Sequence, residues 1–294
     1  MFNERSFGSR MFDGINYVIL AILGLSCVLP FLNLLAISLS SSAATSANLV
    51  SFWPIDFQTE CYGLVFKSGA FMRAFAISVL RVLIGTTINL FFITVTAYPL
   101  SKEANELKGR NAIMWFYVFP MMFSGGLIPF FLVVQKMGLV NSLWVLVIPG
   151  AVDVFSVIMM MNYFRGLNKN ISESAMIDGA GHLRILASIY VPLSLPSIAT
   201  LALFSMVGHW NDWFSGLIFL NDMNDWPLQT YLRQMLVSVD LRNLKVEDME
   251  LLRKLSNRSL KAAQLIVATV PILCVYPFMQ RYFVKGITLG SVKE

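Results

Sequence analysis

Asn170-Ile-Ser-Glu-Ser-Ala-Met-Ile-Asp-Gly-Ala-Gly-His-Leu-Arg-Ile-Leu-Ala-Ser-Ile-Tyr-Val-Pro192 joins two strongly apolar runs, and its patterning decides how the chain is read. A simple turn between helices needs only a few residues. This connection occupies residues 165–192 and is ordered like a structural element. Ser172 stands where a helix N-cap would, with Glu173 in the first turn, where a negative charge suits the helix dipole. Ala175 and Ile177 supply small apolar surface. Gly179 and Gly181 end this first helix and let the backbone approach a neighbour closely. A second short helix, over residues 182–190, carries Leu183, Leu186 and Ile189 at helical spacing. Pro192 ends it and opens the next apolar run. Two readings fit such a helix-glycine-helix: an element that docks into a partner, or an amphipathic pair lying on lipid.

Outward from this stretch the chain is apolar. Of its 294 residues, 56% are hydrophobic and 13% charged, against about 25% charged in soluble domains. That excludes an ordinary water-soluble enzyme and a disordered chain alike. The formal charge of +5 would hint at nucleic acid in a soluble protein. In a membrane protein it follows from Lys and Arg on the cytoplasmic side, so no nucleic-acid partner is implied. Cys27, Cys61 and Cys274 are scattered and make neither a disulfide framework nor a zinc site.

Six runs have the length and apolar character of a membrane span: residues 15–37, 74–100, 112–134, 143–164, 193–220 and 262–283. They do not alternate as barrel strands would. The expected fold is therefore all-α: an integral membrane protein of six transmembrane helices in a single domain, 1–294. The first run shows no small-residue cleavage site and is taken as a retained span. Pro120, Gly125, Gly126 and Pro129 interrupt the third run and mark either a kink or close helix packing. Six spans place both termini on one side, leaving 38–73 and 221–261 as external loops if that side is cytoplasmic. Lys and Arg favour that orientation only slightly, because the 221–261 loop is itself rich in both. Leu232, Met235, Leu236 and Val239, then Leu251, Leu252 and Leu255, suggest one or two short helices in that loop.

The spacing of Glu173, Ala175, Gly179, Ile189 and Pro192 resembles the EAA signature of permease subunits of binding-protein-dependent ABC importers. Ser174 and Val191 depart from that pattern by small or apolar exchanges. Asp178-Gly179-Ala180 resembles the sugar-importer version. Leu29-Pro30-Phe31, Trp210-Asn211-Asp212, Tyr276-Pro277-Phe278 and Lys285-Gly286 extend the resemblance over essentially the whole chain, towards maltose-type and lipoprotein-dependent oligosaccharide permeases. The resemblance implies a type I importer fold in a bacterial inner membrane, with the 165–192 loop and both termini cytoplasmic. It implies a coupling loop seated in an ATPase subunit. Glu173, Ser174, Ala175, Asp178, Gly179, Ala180, Ile189 and Pro192 would form it, with Glu173 bonding to the ATPase. It implies as partners a second homologous permease, two ATPases, an extracytoplasmic sugar-binding protein and membrane lipid. The chain has no G-x-x-x-x-G-K-[ST] phosphate loop, so ATP and Mg belong to the partner ATPases and this chain binds no cofactor. The branch it resembles includes permeases for acidic oligosaccharides such as alginate fragments.

A charge at bilayer depth costs about 2.5–3.5 kcal/mol by insertion scales, so each needs a reason. Arg81, Asp153 and Asp212 fall inside the runs. They either line a translocation path or make structural pairs and helix-end anchors. His209-Trp210-Asn211-Asp212-Trp213 combines rings with amide and carboxylate, the mixture that binds sugars, and also suits an interfacial aromatic belt. The candidate path is thus Asp153, His209, Trp210, Asn211, Asp212 and Trp213. Set against the importer is an ion-coupled secondary transporter working through Asp153 and Asp212. A membrane enzyme is the weakest reading, since no nucleophile–base pair or metal cluster is evident.

Overall fold

A computed structural model describes residues 7–237 and 258–290. Among these residues the chain is helical and contains no strand. Helix α1 (Phe7–Ser38) has 32 residues and carries Pro30. The short helix α2 (Ser42–Ser46) is capped by the Ser41 hydroxyl, and α3 (Glu60–Lys67) follows. Helix α4 (Gly69–Ser101) runs 33 residues without a break, about 50 Å at 1.5 Å per residue.

The third apolar run divides into α5 (Arg110–Met122) and α6 (Leu127–Lys136). Gly126 between them takes a φ of +87°, which an L side chain would resist. Pro129 sits in the first turn of α6, where its missing N–H costs no hydrogen bond. The fourth run is also not one helix. Two 3₁₀ turns, Leu143–Leu146 and Ile148–Gly150, precede α7 (Val154–Arg165), bent 48° from them. The chain breaks at Pro149-Gly150 because proline cannot donate into a continuing helix. Asp153 then starts α7 as its N-cap, accepting from the Ser156 N–H at 3.2 Å.

Helix α8 (Lys169–Ile177) begins one turn earlier than Ser172 suggests. Asn168 is its cap, while Ser172 is buried inside the helix and donates to the Lys169 carbonyl at 2.9 Å. Gly179 ends it at φ +81°. The Ala180 N–H reaches the Ala175 carbonyl (2.9 Å) and the Gly179 N–H that of Met176 (3.0 Å), the paired bonds of a Schellman turn. Helix α9 (His182–Leu193) widens to a π turn over Leu186–Tyr190 before Pro192, which cannot donate to Ser188. Helix α10 (Leu195–Asn211) leaves it at 82°, too sharp a bend for α9 and α10 to make one straight crossing. Short helices α11 (Phe214–Phe219) and α12 (Leu228–Val237) follow, then α13 (Arg258–Gly290). The expected helix at Leu232, Met235 and Leu236 is α12; Val239, Leu251, Leu252 and Leu255 lie outside the described residues.

By length and composition three helical segments can cross a membrane: Met11–Ser38, Gly69–Ser101 and Arg258–Pro277. Counting each bent pair as one span raises this to five. The difference from six arises at 112–134, where 13- and 10-residue helices are each too short alone.

The chain forms two units. One comprises 1–72 and 235–269, with a small core of Ala36, Ile37, Ala44, Val50 and Ala262. Its polar seam joins the hydroxyls of Thr45 and Ser259 at 2.9 Å. The other comprises 73–234 and 270–294. Its main core gathers Ile93, Ala97 and Tyr98 of α4, Met160 and Phe164 of α7, Ile185 and Tyr190 of α9 and Leu201 of α10.

Candidate functional site

The break before α7 creates a polar problem. Helix interruption frees backbone carbonyls that lipid cannot satisfy. Helix α4 supplies the partners. Arg81, Gly85, Asn89 and Ile93 follow at four-residue intervals and so share one face. The Asn89 amide donates to the carbonyls of Gly150 (2.8 Å) and Ala151 (2.9 Å), and Arg81 Nε to that of Leu146 (3.3 Å). The two carbonyl acceptors fix the Asn89 amide, so its oxygen faces α10. There it accepts from the Ser205 hydroxyl (2.9 Å) and from His209 Nε2 (2.7 Å), which must carry the proton because an amide oxygen can only accept. Gly85 makes room for the imidazole: a Cβ there would lie 2.5 Å from His209 Nε2.

Arg81 is 2% exposed. It donates from Nη2 to the Asp212 carboxylate at 2.5 Å and from Nη1 to the Asp212 carbonyl at 2.9 Å. The other Asp212 carboxylate oxygen accepts from the N–H groups of Phe214 (3.0 Å) and Ser215 (3.1 Å) at the start of α11. Asp153 also accepts from the Ser156 hydroxyl at 2.5 Å. The three charges that the sequence places at membrane depth are therefore one ion pair and one helix cap.

These groups surround a cavity of about 390 Å³, within the range of small-ligand pockets. Of the sequence-predicted path residues, Asp153, His209 and Asp212 line it. Trp210, Asn211 and Trp213 do not. Trp210 is buried edge-on to Phe75 at 5.8 Å, and Trp213 lies under the Arg233 guanidinium at 3.8 Å. Asn211 is exposed elsewhere. Asn89, Ser205 and Ser215 line the cavity and were not singled out in the sequence. Asn89 carried a signal of the same kind as the aspartates, a polar group inside an apolar run.

At the loop, Ala175 and Ala180 face the main core and Ile189 packs beside them, half-buried. Glu173, Ser174, Asp178, Gly179 and Pro192 are exposed. So are two large apolar side chains flanking the Gly179 turn, Ile177 at 87% and Leu183 at 81%. Glu173 lines a second cavity, about 920 Å³, with Lys102, Glu103, Arg110, Arg165 and Lys169. Lys169 at the start of α8 bonds and ion-pairs with Glu103 just beyond α4. That hydrogen bond and charge hold the Glu103 carboxyl below its ordinary range and Lys169 above its own.

Residues 104–289 match the family described as "Binding-protein-dependent transport system inner membrane component". The chain is 39% identical to Protein LplC of Bacillus subtilis (strain 168), over 97% of this chain and 95% of that protein. It is 38% identical to the same organism's polygalacturonan/rhamnogalacturonan transport system permease protein YtcP, over 97% and 99%. It superposes with a TM-score of 0.86 and 32% identity on a chain from the crystal structure of a bacterial ABC transporter involved in the import of the acidic polysaccharide alginate, over 95% of this chain and 98% of that one. The match over more than half of the chain and these relatives assign it to the binding-protein-dependent transport system inner membrane components: it is a multi-pass ABC transporter permease, a transport subunit and not an enzyme.

Proposed function

We propose that this chain is the transmembrane subunit of an ATP-driven importer that moves an acidic oligosaccharide, of the uronic-acid type, into the cytoplasm by alternating access. It crosses the inner membrane six times, over 15–37, 74–100, 112–134, 143–164, 193–220 and 262–283, with α5 and α6 together making the third, broken crossing. Both termini and the 165–192 loop face the cytoplasm, and 38–73 and 221–261 face outward. A second permease, two ATPases that hold ATP and Mg, and an extracytoplasmic sugar-binding protein complete the transporter. The substrate class rests on the polygalacturonan and alginate named for two relatives. Within this chain the cavity-facing groups Asn89, Asp153, Ser205, His209 and Asp212 border the path, with Trp210, Asn211 and Trp213 behind it.

One observation carries the coupling assignment. The turn at Gly179 presents Ile177 and Leu183 outward, while Ala175 and Ala180 anchor it to the core. A water-facing turn would not leave two large apolar side chains exposed; a lipid surface or a docking face would, and the likeness of the loop to the family's coupling signature favours docking. Glu173, Ser174 and Asp178 surround the apolar pair with polar groups for the ATPase cleft; Ile189 and Pro192 shape the second helix. The test is Gly179→Val with Glu173→Lys. A β-branched residue at φ +81° is strained by about 1–2 kcal/mol and reshapes the turn. The double variant is expected to insert normally yet lose substrate-stimulated ATP hydrolysis. Uptake that persists in it, or that ignores ATP depletion, would overturn the proposal.

A further inference from the structure

The C-terminal end of α4 meets α9 in a cluster of rings. Tyr98 and Tyr190, each 6% exposed, stand edge to face at 5.0 Å, and Tyr190 meets Phe164 of α7 the same way at 5.3 Å. The Tyr98 hydroxyl is hydrogen-bonded to Nδ1 of His182, the first residue of α9, at 3.1 Å. Lys102 places its ammonium 4.9 Å from the Tyr98 ring and 5.0 Å from the Tyr190 ring, and donates to the Tyr190 hydroxyl at 3.3 Å. Edge-to-face rings and a cation over their faces hold direction as well as distance.

The rest of this helix end is also tied down. The Leu100 carbonyl, which α4 cannot satisfy internally, accepts from Arg110 Nε (2.8 Å) and Arg165 Nη2 (3.2 Å). Lys169 of α8 pairs with Glu103. Three neighbouring helices thus converge on the last turn of one long helix, and a fourth, α8, on the segment just after it.

That helix carries the cavity wall further along. Arg81 and Asn89 lie on α4 without a break between them and Tyr98, about 14–26 Å up the axis. Gly85 is in close contact with His209, so a small shift of α4 is felt at once across the cavity.

We propose that α4 is the rod that transmits the power stroke, and that Tyr98, Tyr190 and Lys102 are the positioning residues of its joint to the loop. Movement imposed on α8 and α9 passes through the ring cluster into α4 and displaces Arg81 and Asn89. This rests on the coupling role proposed for the 165–192 loop.

The experiment uses the complete transporter, with partner permease, ATPases and binding protein, reconstituted in liposomes. It measures substrate imported per ATP hydrolysed. Tyr98→Leu and Tyr190→Leu should keep substrate-stimulated hydrolysis but import about five- to tenfold less per ATP, within the range by which residues along a coupling route change coupling. Tyr98→Phe and Tyr190→Phe keep the rings and should recover most of the ratio. Lys102→Met leaves the rings packed and removes the cation; it should lower the ratio about threefold. It is decisive if the leucine variants do not assemble. Hydrolysis and import falling together at a constant ratio would make these residues merely structural and overturn the joint. Gly179→Val separates the two ideas. If it leaves hydrolysis stimulated by substrate, the coupling role of the loop fails. If it abolishes stimulation while the tyrosine and lysine variants keep the wild-type ratio, only the joint fails.

Discussion

Arg81 and Asp212 are 131 positions apart in the chain and within hydrogen-bonding distance in the fold. Removing one member of a buried pair leaves the other uncompensated, at about 3–5 kcal/mol, whereas replacing both is far milder. Asp212→Ala is therefore expected to reduce folded protein sharply, measured as the detergent-solubilised thermal midpoint. Arg81→Met with Asp212→Leu should recover only part of that loss, because the N–H groups of Phe214 and Ser215 and the Leu146 carbonyl stay unserved; the sharper check is the cycle, in which losses of Arg81→Met and Asp212→Leu that simply add would refute the pairing. At this scale the sequence was half legible. Insertion cost alone flagged Arg81, Asp153 and Asp212 as needing reasons. It could not say that two of them were each other's reason, or that Asp153 caps a helix. Asn89 escaped notice because its role exists only once the carbonyls of Gly150 and Ala151 are known to be free. Trp210 and Trp213, which the sequence offers either as sugar platforms or as an interfacial belt, pack against Phe75 and Arg233.

Among elements, the link between α8 and the segment after α4 should respond to pH. Glu103 titrates below its ordinary range because of Lys169, so its stabilisation is complete above the usual carboxylate pKa and is lost as pH falls through the lowered value. Lys169 titrates above its ordinary range, so its share is complete below the usual lysine pKa and is lost as pH rises through the raised value. The link therefore holds across neutral pH and loosens in acid. Both side chains are more than half exposed, so the effect is modest and screened by salt. Hydrogen exchange over residues 169–177 should quicken as pH drops below the carboxylate range, after correction for intrinsic rates. Glu103→Gln should remove that dependence; an unchanged acid response in the variant would count against the link. The two glycine-turned helices of the loop were readable from spacing, because Gly179 does what only glycine does cheaply. Gly125, Gly126 and Pro129 signalled the break at 123–126, though close helix packing fitted them equally; the one at 151–153 was harder. An apolar run scores the same whether straight or broken, and Pro149-Gly150 with Asp153 and Ser156 was the signal that hydropathy alone passes over.

For the whole molecule, the apolar runs gave the membrane class and the loop pattern gave the family resemblance, and the relatives place the chain there. What composition could not give is how the cavity is charged. A unit charge crossing a membrane potential exchanges about 2.3 kcal/mol per 100 mV. Arg81 and Asp212 carry opposite charges and move, if they move, as a neutral pair. Asp153 is pinned to the first turn of α7. A rearrangement that moves this pair as one and leaves Asp153 at its helix start carries no net charge from these three residues, so voltage acts on the charge of the cargo. Import of an uncharged sugar should be indifferent to a potassium diffusion potential set with valinomycin. An anionic oligosaccharide should slow under an inside-negative potential in proportion to its charge. Strong voltage dependence with a neutral cargo would contradict this and favour an ion-driven carrier. Because the pair is neutral, the slope of import rate against voltage becomes an electrical assay for the valence of a substrate before that substrate is identified.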